Sequence, residues 1–240
     1  DRDLRLGFMY SFNASRYLAS YWLGEALQPT TCMPLGTTYY NGSKLTRSFN
    51  LATATAHFSA AWGGEVWGRG MVVPIVYSSG DTAAEVVAKM LEDVIEHLVS
   101  WPAGVPVDIQ PTGIPSATFV SEMNAGKLPV FITSRIADFP DPHNWFMPFM
   151  HSQGRFAGSA QNITYGLGNI VASWSPAPSY GPPPYGNWNA SLVTAINNTY
   201  VDELISTGVT LPYFGPRRNN LYNELMDIYY AEAASLPIYV

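Results

Sequence analysis

Between Met71 and Ile132, short apolar runs alternate with helix-forming stretches, and this alternation restricts the possible folds more than any other feature. Met71 to Tyr77 is a β-rich run, and Ser78-Ser79-Gly80-Asp81 follows it as a turn. Thr82 and Glu85 have the Thr-x-x-Glu spacing of a capping box, in which each side chain satisfies a free N–H at the helix start. In the helix so begun, Val87, Met90, Leu91, Val94 and Leu98 share one face, and Glu85, Lys89, Glu92 and Glu96 lie opposite. Val105 to Gln110 is a second strand, Ser116 to Ala125 a helix stopped by Gly126, and Leu128 to Ile132 a third strand. Strands separated by single helices predict βαβ units, hence an α/β fold with a parallel or mixed sheet flanked by helices.

The flanks are helical with long connectors. Asn13 predicts the cap of a helix reaching about Ala26, and a Pro/Gly-rich connector follows from Gln28 to Gly42. Asn50 predicts a second cap, with its helix reaching Trp62 before Gly63-Gly64 stops it. Gly154 to Ala190 carries Pro176, Pro178 and Pro182-Pro183-Pro184 among tyrosines and tryptophans, which describes a long irregular loop packed through its rings. Helices return at Thr199–Ser206 and Pro216–Ala234, where Leu221, Leu225 and Ile228 form a stripe. Leu236 to Val240 reads as a buried strand that stops abruptly, which leads to the expectation that more protein follows.

Charge and cysteine content exclude several function classes. A net charge of -6, with Arg217-Arg218 as the only paired basic site, offers no surface to neutralise phosphates, so no nucleic acid partner is expected. From Phe156 to Val201 there is no charged side chain, yet Pro, Gly, Asn and Ser interrupt the stretch too often for a membrane span. Asp1-Arg2-Asp3 cannot begin an apolar leader. Cys32 stands alone, so no internal disulfide or thiolate metal cluster can form. Asn-x-Ser/Thr sequons at Asn13, Asn41, Asn162, Asn189 and Asn197 are candidate glycosylation sites and lean towards an extracellular protein at the cell surface or envelope. No Gly-rich phosphate loop, Gly-x-Ser-x-Gly elbow or zinc spacing among His57, His97, His143 and His151 is present. No catalytic residue, metal site or cofactor is therefore assigned.

One segment does carry chemistry. Ala137-Asp138-Phe139-Pro140-Asp141-Pro142-His143-Asn144-Trp145-Phe146 sets two carboxylates, two prolines and three aromatics directly after the third strand. The prolines fix φ and remove donors, so the chain there is an ordered loop. Either an acidic side chain on this stiff loop receives a cation or polar ligand head, or Asp138 and Asp141 cap backbone groups of a turn.

Taken with Leu4–Phe12, Gly126–Phe131, Asn198–Ile205, Ile228–Ala233 and Leu236–Tyr239, this segment resembles the family 5 extracellular solute-binding proteins, the dipeptide- and oligopeptide-binding components of ABC importers. The Asp-Phe-Pro-Asp-Pro-His-Asn stretch is the specific part of the likeness. The resemblance implies a periplasmic-binding-protein-like lobe spanning residues 1–240, the C-terminal half of a two-lobed clamp. It also implies partners: the missing N-terminal lobe of the same protein, an ABC permease, and a peptide or oligosaccharide ligand. In peptide-binding relatives an aspartate after the apolar strand takes the α-ammonium, and the backbone before it pairs with the extended ligand. The matching positions are Asp138 and the backbone of Ser134, Arg135 and Ile136, with Phe139 and Trp145 completing the ligand-binding set. Several relatives carry an aromatic where this chain has Arg135, which could clamp a carboxylate, stack on a sugar or neutralise Asp138. For an oligosaccharide, Trp145, Phe146, Trp174, Tyr180 and Trp188 would be stacking platforms.

Two other readings stay open beside the receptor. A secreted hydrolase would use Asp138 or Asp141 as acid or base and needs a second carboxylate at catalytic distance. A cell-surface structural component would use the aromatic loop and clustered sequons.

Overall fold

The computed structural model describes residues 1–156, 161 and 198–240. Two compact units divide the chain: Asp1–Gln28, Arg47–Arg135 and Ile238–Val240 form the first, and Pro29–Thr46 with Ile136–Pro237 the second.

The first unit holds the sheet. Strands β1 (Met71–Ser78), β2 (Val107–Ile114) and β3 (Val130–Phe131) lie in the order β2-β1-β3, and every pairing among the described residues is parallel. The alternation of strands and helices thus appears as expected, with two boundary differences. β2 runs on to Ile114 through Pro111 and Gly113, residues that argue against a strand in sequence. Register explains the tolerance. Val76 O accepts from Ile132 N on the β3 side, so Ile75 faces β2 and its partner Pro111 turns its missing donor to the outer edge. Also on that edge, Ile109 N donates to Glu96 Oε1 at 2.6 Å. The edge is therefore partly closed by a proline and a carboxylate rather than left as a free ladder. β3 is shorter than the expected Leu128–Ile132, although Ile132 still bonds to Val76.

Helices α1 (Arg2–Ser11), α2 (Ala14–Ser20), α3 (Leu51–Ala60), α4 (Glu65–Arg69), α5 (Thr82–His97) and α6 (Ser116–Asn124) complete the unit. α1 and α4 were not foreseen. α1 crosses α3 so closely that a Cβ on Gly7 would stand 2.6 Å from the Phe58 ring. Asn13 and Asn50 cap as expected, accepting from Arg16 N and Thr53 N. α2, however, ends at Ser20 instead of about Ala26. Leu23 takes a left-handed φ of 52° and Gly24 N bonds back to Leu18 O at 3.0 Å, which folds the chain back over the end of the helix. α5 is capped by Asp81, which accepts from Ala84 N, and not by Thr82. Glu85 is thereby released to pair with Lys89 at 2.6 Å. Val87, Leu91 and Val94 are buried as expected, but Leu98 is exposed and Ile95 and Val99 take its place. Leu236–Val240 is no sheet strand; Val240 and Leu27 exchange a single reciprocal pair of backbone bonds.

The second unit packs α7 (His143–Met150), α8 (Asn198–Thr210) and α9 (Pro216–Glu232) around Phe146, Met150, Leu204, Tyr222 and Leu225. The stripe of Leu221, Leu225 and Ile228 on α9 is buried as its spacing predicts. Met33 from the 29–46 connector enters the same core, and Cys32 packs beside it with its thiol pushed up to about 12 by burial. The connector is tied to α9 by Lys44–Asp227 at 2.7 Å and by Asn41 Nδ2 donating to Asn223 Oδ1 at 2.8 Å. Most of the Gly154–Ala190 loop, with Trp174, Tyr180 and Trp188, lies outside the described residues.

Glu224 is a buried carboxyl of α9 that accepts a hydrogen bond from the Tyr200 hydroxyl. Burial pushes its pKa up to about 7 despite that bond. A group that holds its proton more tightly when folded stabilises fully below about 4.5 and loses that contribution as pH rises through about 7. Glu224→Gln is therefore expected to raise stability at pH 8 by up to about 3 kcal/mol and to change it little at pH 4. Urea titrations at the two pH values measure this, and an equal effect at both would show that burial of the charge is not what matters at this position.

Candidate functional site

The acidic loop after β3 is built by its own prolines and by three hydrogen bonds that fold it on itself. Phe139 O accepts from Asp141 N at 2.9 Å and from Asn144 Nδ2 at 3.2 Å, and Asp141 O accepts from Asn144 N at 3.0 Å. Asp141 Oδ1 accepts from His143 N at 2.9 Å, the local capping role that Asp commonly takes in turns.

Its other oxygen reaches across the unit. Asp141 Oδ2 receives Arg218 Nη2 at 2.7 Å, while Arg218 Nε donates to Gly208 O at 2.7 Å. The guanidinium lies over the rings of Tyr213 at 5.0 Å and Tyr222 at 5.5 Å. Only 3% of Arg218 is exposed. Loop, α8 and the start of α9 are thus joined at one cation. Tyr213 adds a further tie, since its hydroxyl donates to Pro140 O at 3.0 Å.

The expected site residues fall on both sides of the division between the units. Ser134, exposed, and Arg135, half-buried, belong to the first unit. Ile136, Asp138 and Phe139 belong to the second and are exposed, Ile136 by 89% and Phe139 by 52%. Asp138 and Asp141, three residues apart, therefore have different fates: one faces outward and the other is consumed in the buried pair.

Two expectations need correction. Trp145 is 8% exposed and Phe146 fully buried, so both rings fill the core of the second unit and are not stacking platforms on the loop surface. Asp141 is not available as an acid or base, because its two oxygens are held by Arg218 and His143 N. Among the described residues, Ser152, His151 and Asp202 lie together without the hydrogen bonding that would activate the serine. The Ser152 hydroxyl donates to Asp202, while His151 Nδ1 accepts from Gln153 N at 3.0 Å. Among the described residues no group of three His, Cys, Asp or Glu side chains is placed to hold a metal ion. Of the sequons, Asn13 serves as a helix cap and Asn41 as a bridge to Asn223, whereas Asn162, Asn189 and Asn197 lie outside the described residues.

The positioning role of Arg218 escaped sequence reasoning. Arg217-Arg218 stood out as the lone basic pair, but its carboxylate partner lies 77 residues away and no spacing rule connects them.

Residues 1–157 match the model of the bacterial extracellular solute-binding proteins, family 5 (Middle). The chain belongs to this family. The match includes the acidic loop and ends just beyond α7. Solved structures share this chain's backbone path. The periplasmic binding protein DppA of Helicobacter pylori, described as ABC transporter-associated and in complex with peptide STSA, aligns at TM-score 0.68 and 16% identity over 99% of this chain. The dipeptide binding protein of Pseudoalteromonas sp. SM9913 in complex with Met-Leu aligns at 0.66 and 14% over 100%. NikA of Brucella suis in complex with Fe(III)-EDTA aligns at 0.64 and 15%, again over 100%. This chain spans 38%, 39% and 42% of those three chains respectively. No curated protein matches it. No helix of the described residues is long and apolar enough to cross a membrane.

Removing one member of a buried ion pair strands the other in low dielectric, at a cost of roughly 3–5 kcal/mol. Arg218→Ala is expected to destabilise the protein by about that amount. Asp141→Leu combined with Arg218→Met is expected to recover much of it, because no uncompensated charge is then buried. Urea denaturation of the single and double variants tests the pair; a loss below about 1 kcal/mol for Arg218→Ala would place it among surface ion pairs.

Proposed function

We propose that this chain forms part of the ligand site of an extracellular or envelope-associated solute-binding protein that delivers peptides to an ABC importer. The observation that carries the reading is the acidic loop within the family-matched region, whose backbone is pinned through Asp141 and Arg218 while Asp138 stays exposed. A carboxylate so presented makes a charge-assisted bond to the α-ammonium of a peptide. Backbone groups of Ser134, Arg135 and Ile136 lie in irregular chain between β3 and the loop, where an extended ligand can pair with them independently of its side chains.

The fold alone does not choose the ligand, since the Brucella suis NikA structure holds Fe(III)-EDTA and the Helicobacter pylori and Pseudoalteromonas structures hold peptides. Asp138 favours the peptide: it is an anion at a surface and selects a cationic head. The oligosaccharide alternative loses its nearest support, because Trp145 and Phe146 are core residues. Coverage of 38% and 39% of the Helicobacter pylori and Pseudoalteromonas chains supports a shared site, in which a further lobe of the same protein would supply the other wall. Closure of two lobes on the ligand would then present the complex to the permease, the ligand favouring the closed state by its differential affinity. Arg135, three residues before Asp138, is placed in this reading beside the ligand backbone.

Calorimetry on the full chain with a tetrapeptide and its N-acetylated form tests the reading. Asp138→Asn is expected to weaken the free-amine peptide about ten- to a hundredfold, the worth of one charged hydrogen bond. Acetylation should weaken binding similarly in the wild type and add little in the variant. Identical affinities for wild type and Asp138→Asn would take the ammonium away from Asp138.

A further inference from the structure

The segment between α8 and α9 presents an exposed aromatic residue from an unusually well-fixed neighbour. Tyr213 is held by four partners: its hydroxyl donates to Pro140 O at 3.0 Å and shares a hydrogen with Thr38 Oγ1 at 3.0 Å. Its carbonyl accepts from the Tyr39 hydroxyl, and its ring carries Arg218 at 5.0 Å. Phe214, edge-on to Tyr213 with centroids 4.7 Å apart, is nevertheless 84% exposed. The carbonyl that Tyr213 binds belongs to Pro140, next to the exposed Phe139 and two residues from Asp138. The Tyr213–Pro140 bond thus ties the loop that carries Asp138 and Phe139 to the corner that carries Phe214.

We infer that Phe139, Tyr213 and Phe214 form a fixed aromatic ledge that receives a bulky apolar side chain close to the ammonium end of the ligand, and so selects among peptides. The inference rests on the peptide reading of Asp138 and deepens it. Charge complementarity names the occupant: the Asp138 carboxylate orients the ammonium, and the first side chains of an extended peptide then meet Phe139 on the same loop and the corner that Tyr213 ties to it through Pro140. Rigidity supports it as well. Side chains already ordered before binding lose little entropy on binding, so their apolar area converts efficiently into affinity. Rings with few torsions are suited to that use.

The test compares Ala-Ala-Ala with Ala-Phe-Ala by calorimetry on the full chain, in wild type, Phe214→Ala and Phe214→Leu. Phe214 is largely exposed, so its replacement leaves the core intact. Phe214→Ala is expected to weaken Ala-Phe-Ala by about tenfold, the effect of covering part of one ring, and to leave Ala-Ala-Ala within about twofold. Phe214→Leu should keep most of the preference. Wild-type binding of both peptides with no change, or an equal change, in Phe214→Ala would overturn the ledge while leaving the Asp138 reading in place. Failure of the wild type to bind either peptide would overturn that reading and the ledge together. A Phe214→Ala variant with normal peptide preference but weakened self-association would assign the ring to a contact between copies and likewise overturn the ledge.

Discussion

The second unit is organised by one buried cation, Arg218, and its pair with Asp141. Ion pairs of this kind are costly to desolvate, and burying one is no assurance of extra stability. What Arg218 supplies here is direction. Its donor and ring contacts connect the acidic loop, the end of α8 and the corner before α9, which are distant in sequence and could otherwise settle independently. Pro140 and Pro142 assist by removing two backbone donors from a loop that has few partners to offer them. Where the loop's backbone lies, and therefore what Asp138 and Phe139 can meet, follows from that junction.

Interactions confined to neighbouring residues were legible in the sequence, and those closed through space were not. Asn13 and Asn50 cap helices because an Asn side chain needs only the next three residues to do so. Asp81 and Thr82 compete for the same task, and the turn before them places the carboxylate, not the hydroxyl, over Ala84 N. The early end of α2 depends on a left-handed Leu23, a conformation that its side chain does not announce. The second half of β2 was hidden by Pro111 and Gly113, whose acceptability depends on which edge of the sheet the strand occupies. The acidic loop was visible as a site, yet the division of labour between its aspartates required Arg218. Likewise, Trp145 looked like a binding ring because composition cannot say which face of α7 turns inward.

Identities of 14% to 16% with backbone agreement at TM-scores of 0.64 to 0.68 separate two kinds of information. The backbone path tolerates replacement of most side chains, as expected when patterning and volume rather than particular residues specify a core. Ligand choice has no such redundancy, because a single charge or ring can reverse it. The match over residues 1–157 carries the family, fold similarity carries the backbone path, and only this chain's own surface can argue for a ligand.

That surface gains its meaning from the contrast between Asp138 and Asp141. A carboxylate on a loose loop would have to be ordered by each arriving ligand, and the ordering entropy would be subtracted from every contact made. Here Asp141 has already been spent on holding the loop, so a ligand at Asp138 would meet a backbone that is fixed before it arrives. The same economy extends to Phe214, whose neighbour Tyr213 is tied to Pro140, Thr38, Tyr39 and Arg218. Loosening the pair should then weaken binding even though neither member touches the ligand. A variant such as Arg218→Met with Asp141→Leu, folded but without the clamp, separates the cost of disorder from the loss of a contact.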